Sequence, residues 1–244
     1  MEKYYLSQSE LGILFECLNP TTKYNLPSLM PLGEKVDVEK LRKCINEFAN
    51  KHPGIFTVVK KDDEGGFYKE CQKENIEVPL VELKEINEKA LVREFNLFDS
   101  HLYRFEILKV QKEYYLFFDF HHIIADGNSM KLFIDSLQDL YDGKEIADEK
   151  QTAFEYGNYE KELLKSDDFK KAEQYFKDKY SGLDAESTIV EDINDEAIAH
   201  NTIKRELKVS NEAIKDIGHC STLSVLWANR VSHGAWPRLS SVYR

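Results

Sequence analysis

Two strand-forming runs that lead straight into a compact polar corner and then a helix constrain this chain more than any other feature. Leu102 to Val110 and Glu113 to Phe120 are rich in aromatic and branched residues and are joined by a short polar turn. Such side chains fit a pleated, half-buried surface, so the runs predict two paired strands. The loop His121 to Gly127 follows. From Ser129 to Tyr141, Met130, Phe133, Ile134, Leu137 and Leu140 then recur at helical spacing.

The rest of the chain follows the same alternation. Ser7 to Leu18 reads as a short helix with Ser7 as N-cap and Glu10 at capping-box spacing, its apolar face formed by Leu11, Leu14, Phe15 and Leu18. Tyr24 to Leu32 reads as extended and broken by prolines, and Val36 to Lys51 as an amphipathic helix. Ile55 to Lys60 and Phe67 to Cys71 flank the turn sequence DDEGG, a hairpin signal. A strand near Ile76 to Leu83, a helix near Glu85 to Phe95, and helices over about Thr152 to Leu164 and Asp168 to Tyr180 are expected. Thr188 to His200 reads as a loop, Thr202 to Val209 as a strand, and Asn211 to Ile217 as a helix start. Helices alternating with strands, some of them in hairpins, predict an α/β or α+β fold with a mixed sheet covered by helices.

Composition removes several functions. The net charge of -11 does not suit a phosphate-binding surface, and neither a zinc-finger spacing nor a Gly-rich phosphate loop occurs. Cys17, Cys44, Cys71 and Cys220 are scattered without pairing motifs and read as free thiols of a reducing compartment. The N-terminus has no apolar region of secretory type and no run is long enough to cross a bilayer, so a cytoplasmic protein without membrane or nucleic-acid partners is expected.

The chemistry gathers in His121-His122-Ile123-Ile124-Ala125-Asp126-Gly127-Asn128-Ser129. Successive side chains of a strand point to opposite faces, so His121 and His122 cannot share one pocket. One faces the site and the other packs inside. Asp126 is placed to orient the loop, Gly127 to supply backbone freedom and an exposed N–H, and Asn128 or Ser129 to cap the following helix. A histidine beside a helix N-terminus suits proton transfer near neutral pH. The divergence of adjacent histidines, with no third ligand at a suitable spacing, argues against a metal.

These residues resemble the HHxxxDG motif of condensation domains of nonribosomal peptide synthetases, which belong with the chloramphenicol-acetyltransferase-like acyltransferases. Further segments are similar in order: Leu6 to Glu10 resembles the LSxAQ-type opening, Lys51 to Ile55 the RHExLRT segment, Phe95-Asn96-Leu97 with Leu102 to Phe105 the FDL…PLLRF stretch, and Phe154 to Tyr159 the YxDYAxW segment. The resemblance covers about residues 4 to 217. It implies the N-terminal half of a chloramphenicol-acetyltransferase-like sandwich, with His122 facing the reaction channel and His121 and Asp126 structural. The implied reaction joins an acceptor amine to a donor thioester. Both are tethered through phosphopantetheine to carrier domains, and the domain itself binds no cofactor directly. Two alternative readings stand beside it: an epimerisation domain or stand-alone O-acyltransferase that uses the same motif, and, from another class, a non-catalytic fragment or carrier-docking module.

Two departures accompany the resemblance. The arginine of the RHExLRT segment that pairs with the motif aspartate is replaced by Phe56, which leaves Arg104 as the candidate partner of Asp126. The second half of the domain, which would face the first across the channel, is absent, so the chain alone is expected to be inactive. Residues 218–244 carry only three of the chain's 33 basic residues and none of its 44 acidic ones, but both tryptophans, Trp227 and Trp236. The expected organisation is therefore a condensation subdomain over 1–217 and an atypical, frameshifted or non-native tail over 218–244.

Overall fold

The computed structural model describes residues 2–182. The elements expected over 188–217 and the tail over 218–244 lie outside the described residues. In chain order the elements are β1 (Tyr4–Tyr5), α1 (Gln8–Glu16), β2 (Asn25–Gly33), α2 (Val38–Lys51), a 3-10 turn (Pro53–Phe56), β3 (Thr57–Lys61), β4 (Phe67–Cys71), β5 (Leu80–Leu83), α3 (Glu88–Leu91), β6 (Tyr103–Val110), β7 (Glu113–His121), α4 (Gly127–Tyr141), α5 (Ala153–Leu163) and α6 (Asp167–Tyr180). Of the described residues, 2–170 belong to one compact unit, whose boundary falls within α6.

Two sheets form. The larger has the order β2-β7-β6-β5; β2, β7 and β6 are antiparallel neighbours, and β5 adds in parallel. The expected mixed sheet is thus present. Pro27 and Pro31 lie in β2, which is an edge strand and can accommodate residues without an N–H to donate. The smaller sheet has the order β1-β4-β3. Its β3–β4 turn is closed by Asp62, whose Oδ1 accepts the N–H groups of Glu64 and Gly66, while Gly65 takes the positive φ that the turn requires.

Alternation along β7 divides its side chains between two environments. Leu116, Phe118 and Phe120 join Phe105 and Ile107 of β6 in the main core, under Leu41, Ile45 and Phe48 of α2 and Met130, Phe133 and Leu137 of α4. The Phe133 ring lies 4.8 Å from Phe118, 5.1 Å from Phe48 and 5.6 Å from Phe120, which fixes α4 on the sheet. Phe117, Asp119 and His121 alternate with these residues and point the other way. A second core joins Leu6, Leu14 and Cys17 to Val59, Leu97, Leu102 and Ile123. Ile123 therefore anchors the corner after β7 in one core, while Met130 anchors the helix after it in the other.

The capping box expected of α1 forms, from Ser7 with Glu10, and α5 starts at Thr152 as expected, with a capping box of its own to Glu155. The apolar face expected of α1 is only partly used: Leu14 is buried, whereas Phe15 and Leu18 are exposed. The helix expected over 85–95 shrinks to the single turn of α3. The carbonyls of Arg93 and Glu94 accept bonds from side chains of the sheet instead of continuing a helix ladder. Of the strand expected over 76–83, only Leu80–Leu83 pairs; Ile76 and Val78 are core residues of an extended lead-in.

Candidate functional site

The polar corner is held by its main chain. The His121 N–H donates to Leu102 O at 2.9 Å, the His122 N–H to Tyr24 O at 2.8 Å and the Ile124 N–H to His121 O at 3.0 Å. His122 thus leaves the sheet at a point tied to the lead-in of β2, and Leu102 ties the residue before it to the lead-in of β6. The two imidazoles meet different surroundings. His121 is buried, with its ring edge-on to Phe95 at 5.9 Å. Its Nδ1 accepts the Ile123 N–H at 3.3 Å, so the neutral ring carries its proton on Nε2. Burial, with the neighbouring His122 charge adding to it, pushes the His121 pKa down to about 4 and keeps it neutral at ordinary pH. His122 is half-buried, edge-on to Tyr24 at 6.4 Å, and its ring makes no hydrogen bond among the described residues.

Asp126 does not pair with Arg104. It is exposed and serves as the N-cap of α4: the Ser129 N–H and hydroxyl both donate to its Oδ1 at 2.8 Å. The cap therefore falls earlier than the expected Asn128 or Ser129. Those bonds, together with the charge of nearby His122, lower the Asp126 pKa despite some desolvation. A carboxylate on the N-terminal turn satisfies free N–H groups and the positive end of the helix. Gly127 does not adopt a positive φ, and a Cβ there would meet nothing within 4 Å. This turn does not draw on glycine's backbone freedom.

Arg104 instead serves a buried network on the Asp119–His121 face. Its Nη1 lies 3.0 Å from Asp119 Oδ2, which also accepts from Asn25 Nδ2 at 2.7 Å. Asp119 is fully buried; desolvation raises its pKa to about 6, against the Asn25 bond and the Arg104 charge, which favour ionisation. Asn25 Nδ2 and Arg104 Nη1 both donate to Arg93 O, at 2.9 and 3.3 Å, and Arg104 Nη2 donates to Glu94 O at 3.4 Å. The guanidinium lies 4.5 Å over the Phe95 ring. Sheet side chains thereby strap residues 93–95 across the strands. Asn25, Asp119, Phe95 and Tyr24 do not stand out from the sequence as site residues. One signal was legible: an aspartate inside the apolar run Phe117-Phe118-Asp119-Phe120 requires a buried partner. Phe56 is fully buried and packs on His101 and Tyr103 at ring distances of 6.3 and 6.5 Å, as an ordinary core side chain.

The sequence model of the condensation domain family matches residues 2–216. The chain belongs to this family. It is 30% identical over 185 residues to a plipastatin synthase subunit of Bacillus subtilis (strain 168), a match that covers 74% of this chain and 5% of that protein. It is 28% identical over 193 residues to bacitracin synthase 3 of Bacillus licheniformis, covering 74% of this chain and 3% of that one. The starter condensation domain of the rhizomide synthetase RzmA superposes with a TM-score of 0.64 at 14% identity, over 75% of this chain and 49% of that one. The X-domain from teicoplanin biosynthesis gives a TM-score of 0.65 at 20% identity, over 78% and 46%. The condensation-type, chloramphenicol-acetyltransferase-like fold is thus present, and the chain spans about half the length of the solved domains it matches. No helix among the described residues is long and apolar enough to cross a membrane.

Proposed function

We propose that this chain supplies the motif-bearing half of an amide-forming condensation domain in nonribosomal peptide synthesis, with His122 as its reactive side chain. One observation carries the reading: of two adjacent histidines, His121 is buried, neutral and bonded through Nδ1, while His122 presents a half-buried imidazole free of hydrogen bonds among the described residues. A free imidazole at a rigid strand end can take the proton of an attacking amine as that amine adds to a thioester carbonyl. The carbon–sulfur bond then breaks, and the proton taken from the amine passes from the imidazole to the departing sulfur, which leaves as a thiol. General base assistance of this kind contributes roughly 10²–10⁴-fold.

The substrates of this reading are an acyl or peptidyl thioester and an amine, each on a phosphopantetheine arm of a carrier domain. The arms, not the chain, bring the cofactor, and the carrier domains and a second condensation half are the partners. His121 and Asp126 act structurally, the first by packing under the corner and the second by capping α4. The condensation subdomain of this reading is assigned to residues 1–217, with 218–244 outside it.

Two tethered groups meeting in line need surfaces on both sides of the reacting atoms; such orientation is worth roughly 7–11 kcal/mol of barrier. The 244-residue chain alone should therefore make no amide. The test loads carrier proteins with donor and acceptor and follows the amide by mass spectrometry. It compares this chain alone with a chain extended by a second half. Product from the extended chain only is expected. His122-dependent product from the short chain would overturn the need for a second half, and no product from either would overturn the assignment of the reaction.

A further inference from the structure

The Asp119 network has no part in the chemistry above, yet it ends on the wall of the reactive corner. Asp119 is fully buried and holds Arg104 at 3.0 Å. Arg104 lies 4.5 Å over the face of Phe95, and Phe95 meets the His121 ring edge-on at 5.9 Å. Asn25, the register partner of His121 across β2 and β7, closes the arrangement from the other side by bonding Asp119 Oδ2 and Arg93 O. The same strand therefore carries the anchor, Asp119, and two residues later the ring that the anchored strap covers.

We infer that Asp119 is a positioning residue for the motif: through Arg104 and Phe95 it holds the His121 ring in one tautomer and one rotamer, and thereby sets where His122 leaves the sheet. The inference rests on the reading of His122 as the reactive side chain, but its test requires no turnover.

A carboxylate held by an arginine and an amide has a fixed direction, because a buried charge that swung away from these partners would lose much of its compensation. A guanidinium held by that carboxylate and by two main-chain carbonyls presents a flat, fixed face, on which an aromatic ring stacks. The ring fixed there shields one edge of His121. The neutral imidazole then accepts the Ile123 N–H through Nδ1 and keeps its proton on Nε2. Ile123 is the residue that follows His122 and is buried in the second core, so any slip of the His121 ring is felt at once on the other side of His122. Asp126, the carboxylate that the motif itself provides, is committed to capping α4 and cannot perform this task.

The test uses the chain labelled with ¹³C and ¹⁵N at its histidines and reads ring tautomers and ring cross-peaks by NMR at neutral pH. Three variants are compared with the parent. Asp119→Asn removes the anchoring charge with little change of shape. Phe95→Leu leaves the Asp119–Arg104 pair in place but removes the aromatic link, and carries the test if Asp119→Asn does not fold. Gly157→Ala loosens the distant contact of α5 with β1, where a Cβ would stand 1.9 Å from Tyr5 O, and reports on general loss of stability. The expected result is a shift of both motif histidine cross-peaks, and loss of the single Nε2–H pattern of His121, in Asp119→Asn and Phe95→Leu but not in Gly157→Ala. Unchanged His121 and His122 signals in either of the first two variants would overturn the inference. Equal changes in all three would also overturn it, since general destabilisation would then explain them.

Discussion

Asp119→Asn should make this protein more sensitive to acid, and the size of the effect follows from two buried groups of opposite behaviour. Burial raises the Asp119 pKa from its ordinary 3.8 to about 6. A carboxyl group raised in the folded state contributes stability that is fully present below its unfolded pKa and is lost as the pH rises through about 6. At ~1.4 kcal/mol per pH unit, the interval between the two values is worth ~3 kcal/mol. His121 does the reverse. Its pKa falls from 6.5 to about 4 in the fold, so its neutral ring contributes stability above 6.5 that is lost as the pH falls toward about 4. That loss is also worth ~3 kcal/mol. Between pH 6.5 and pH 4 the two contributions nearly cancel in the parent protein. Asparagine at 119 removes one side of the balance and leaves the acid penalty of His121 uncompensated. Urea unfolding of parent and variant at about pH 7 and about pH 4 measures this directly. The stability gap between them should widen by ~2–3 kcal/mol on acidification. A gap that is the same at both pH values would refute the reasoning, and one that narrows would mean that Asp119 is held ionised more strongly than its burial opposes.

Three further outcomes are expected. Gly157→Ala should cost about 1–3 kcal/mol by denaturant unfolding, because the added methyl meets the Tyr5 carbonyl backbone, which has no rotamer to yield. Asp126→Ala should lower stability by about 0.5–2 kcal/mol through loss of the α4 cap, and Asp126→Ser should restore most of it, which a salt-bridge role would not allow. Phe133→Ala should cost about 3–5 kcal/mol, read as a fall in the urea midpoint, because its ring joins α4 to Phe48, Phe118 and Phe120 at the centre of the main core.

Much of this architecture was legible from local signals. The capping box at Ser7, the helix start at Thr152, the DDEGG turn after β3 and the two aromatic runs of β6 and β7 are rules written within a few residues, and each formed where it was expected. The divergence of His121 and His122 also followed from strand alternation alone. What escaped was set by contacts across the sheet. Helical spacing over 85–95 gave way because the carbonyls of Arg93 and Glu94 are taken by Asn25 and Arg104, residues 68 and 10 positions away. The pairing of Arg104 depends on register: it stands opposite Asp119 in the β6–β7 ladder, whereas Asp126 lies past the strand end on a helix cap. A charged residue between Phe118 and Phe120 was the visible clue to that pair.

The role of His122 as the reactive side chain is tested most directly by one comparison of rates. A chain carrying this half and a second half would be mixed with loaded donor and acceptor carriers, and amide formation followed in a single turnover for the parent and for His122→Ala, with circular dichroism to show that both are folded. The expected result is an intact fold and an amide rate lowered by roughly 10²–10⁴-fold. A folded His122→Ala variant that forms the amide at the parent rate would contradict the assignment of His122 as the reactive side chain.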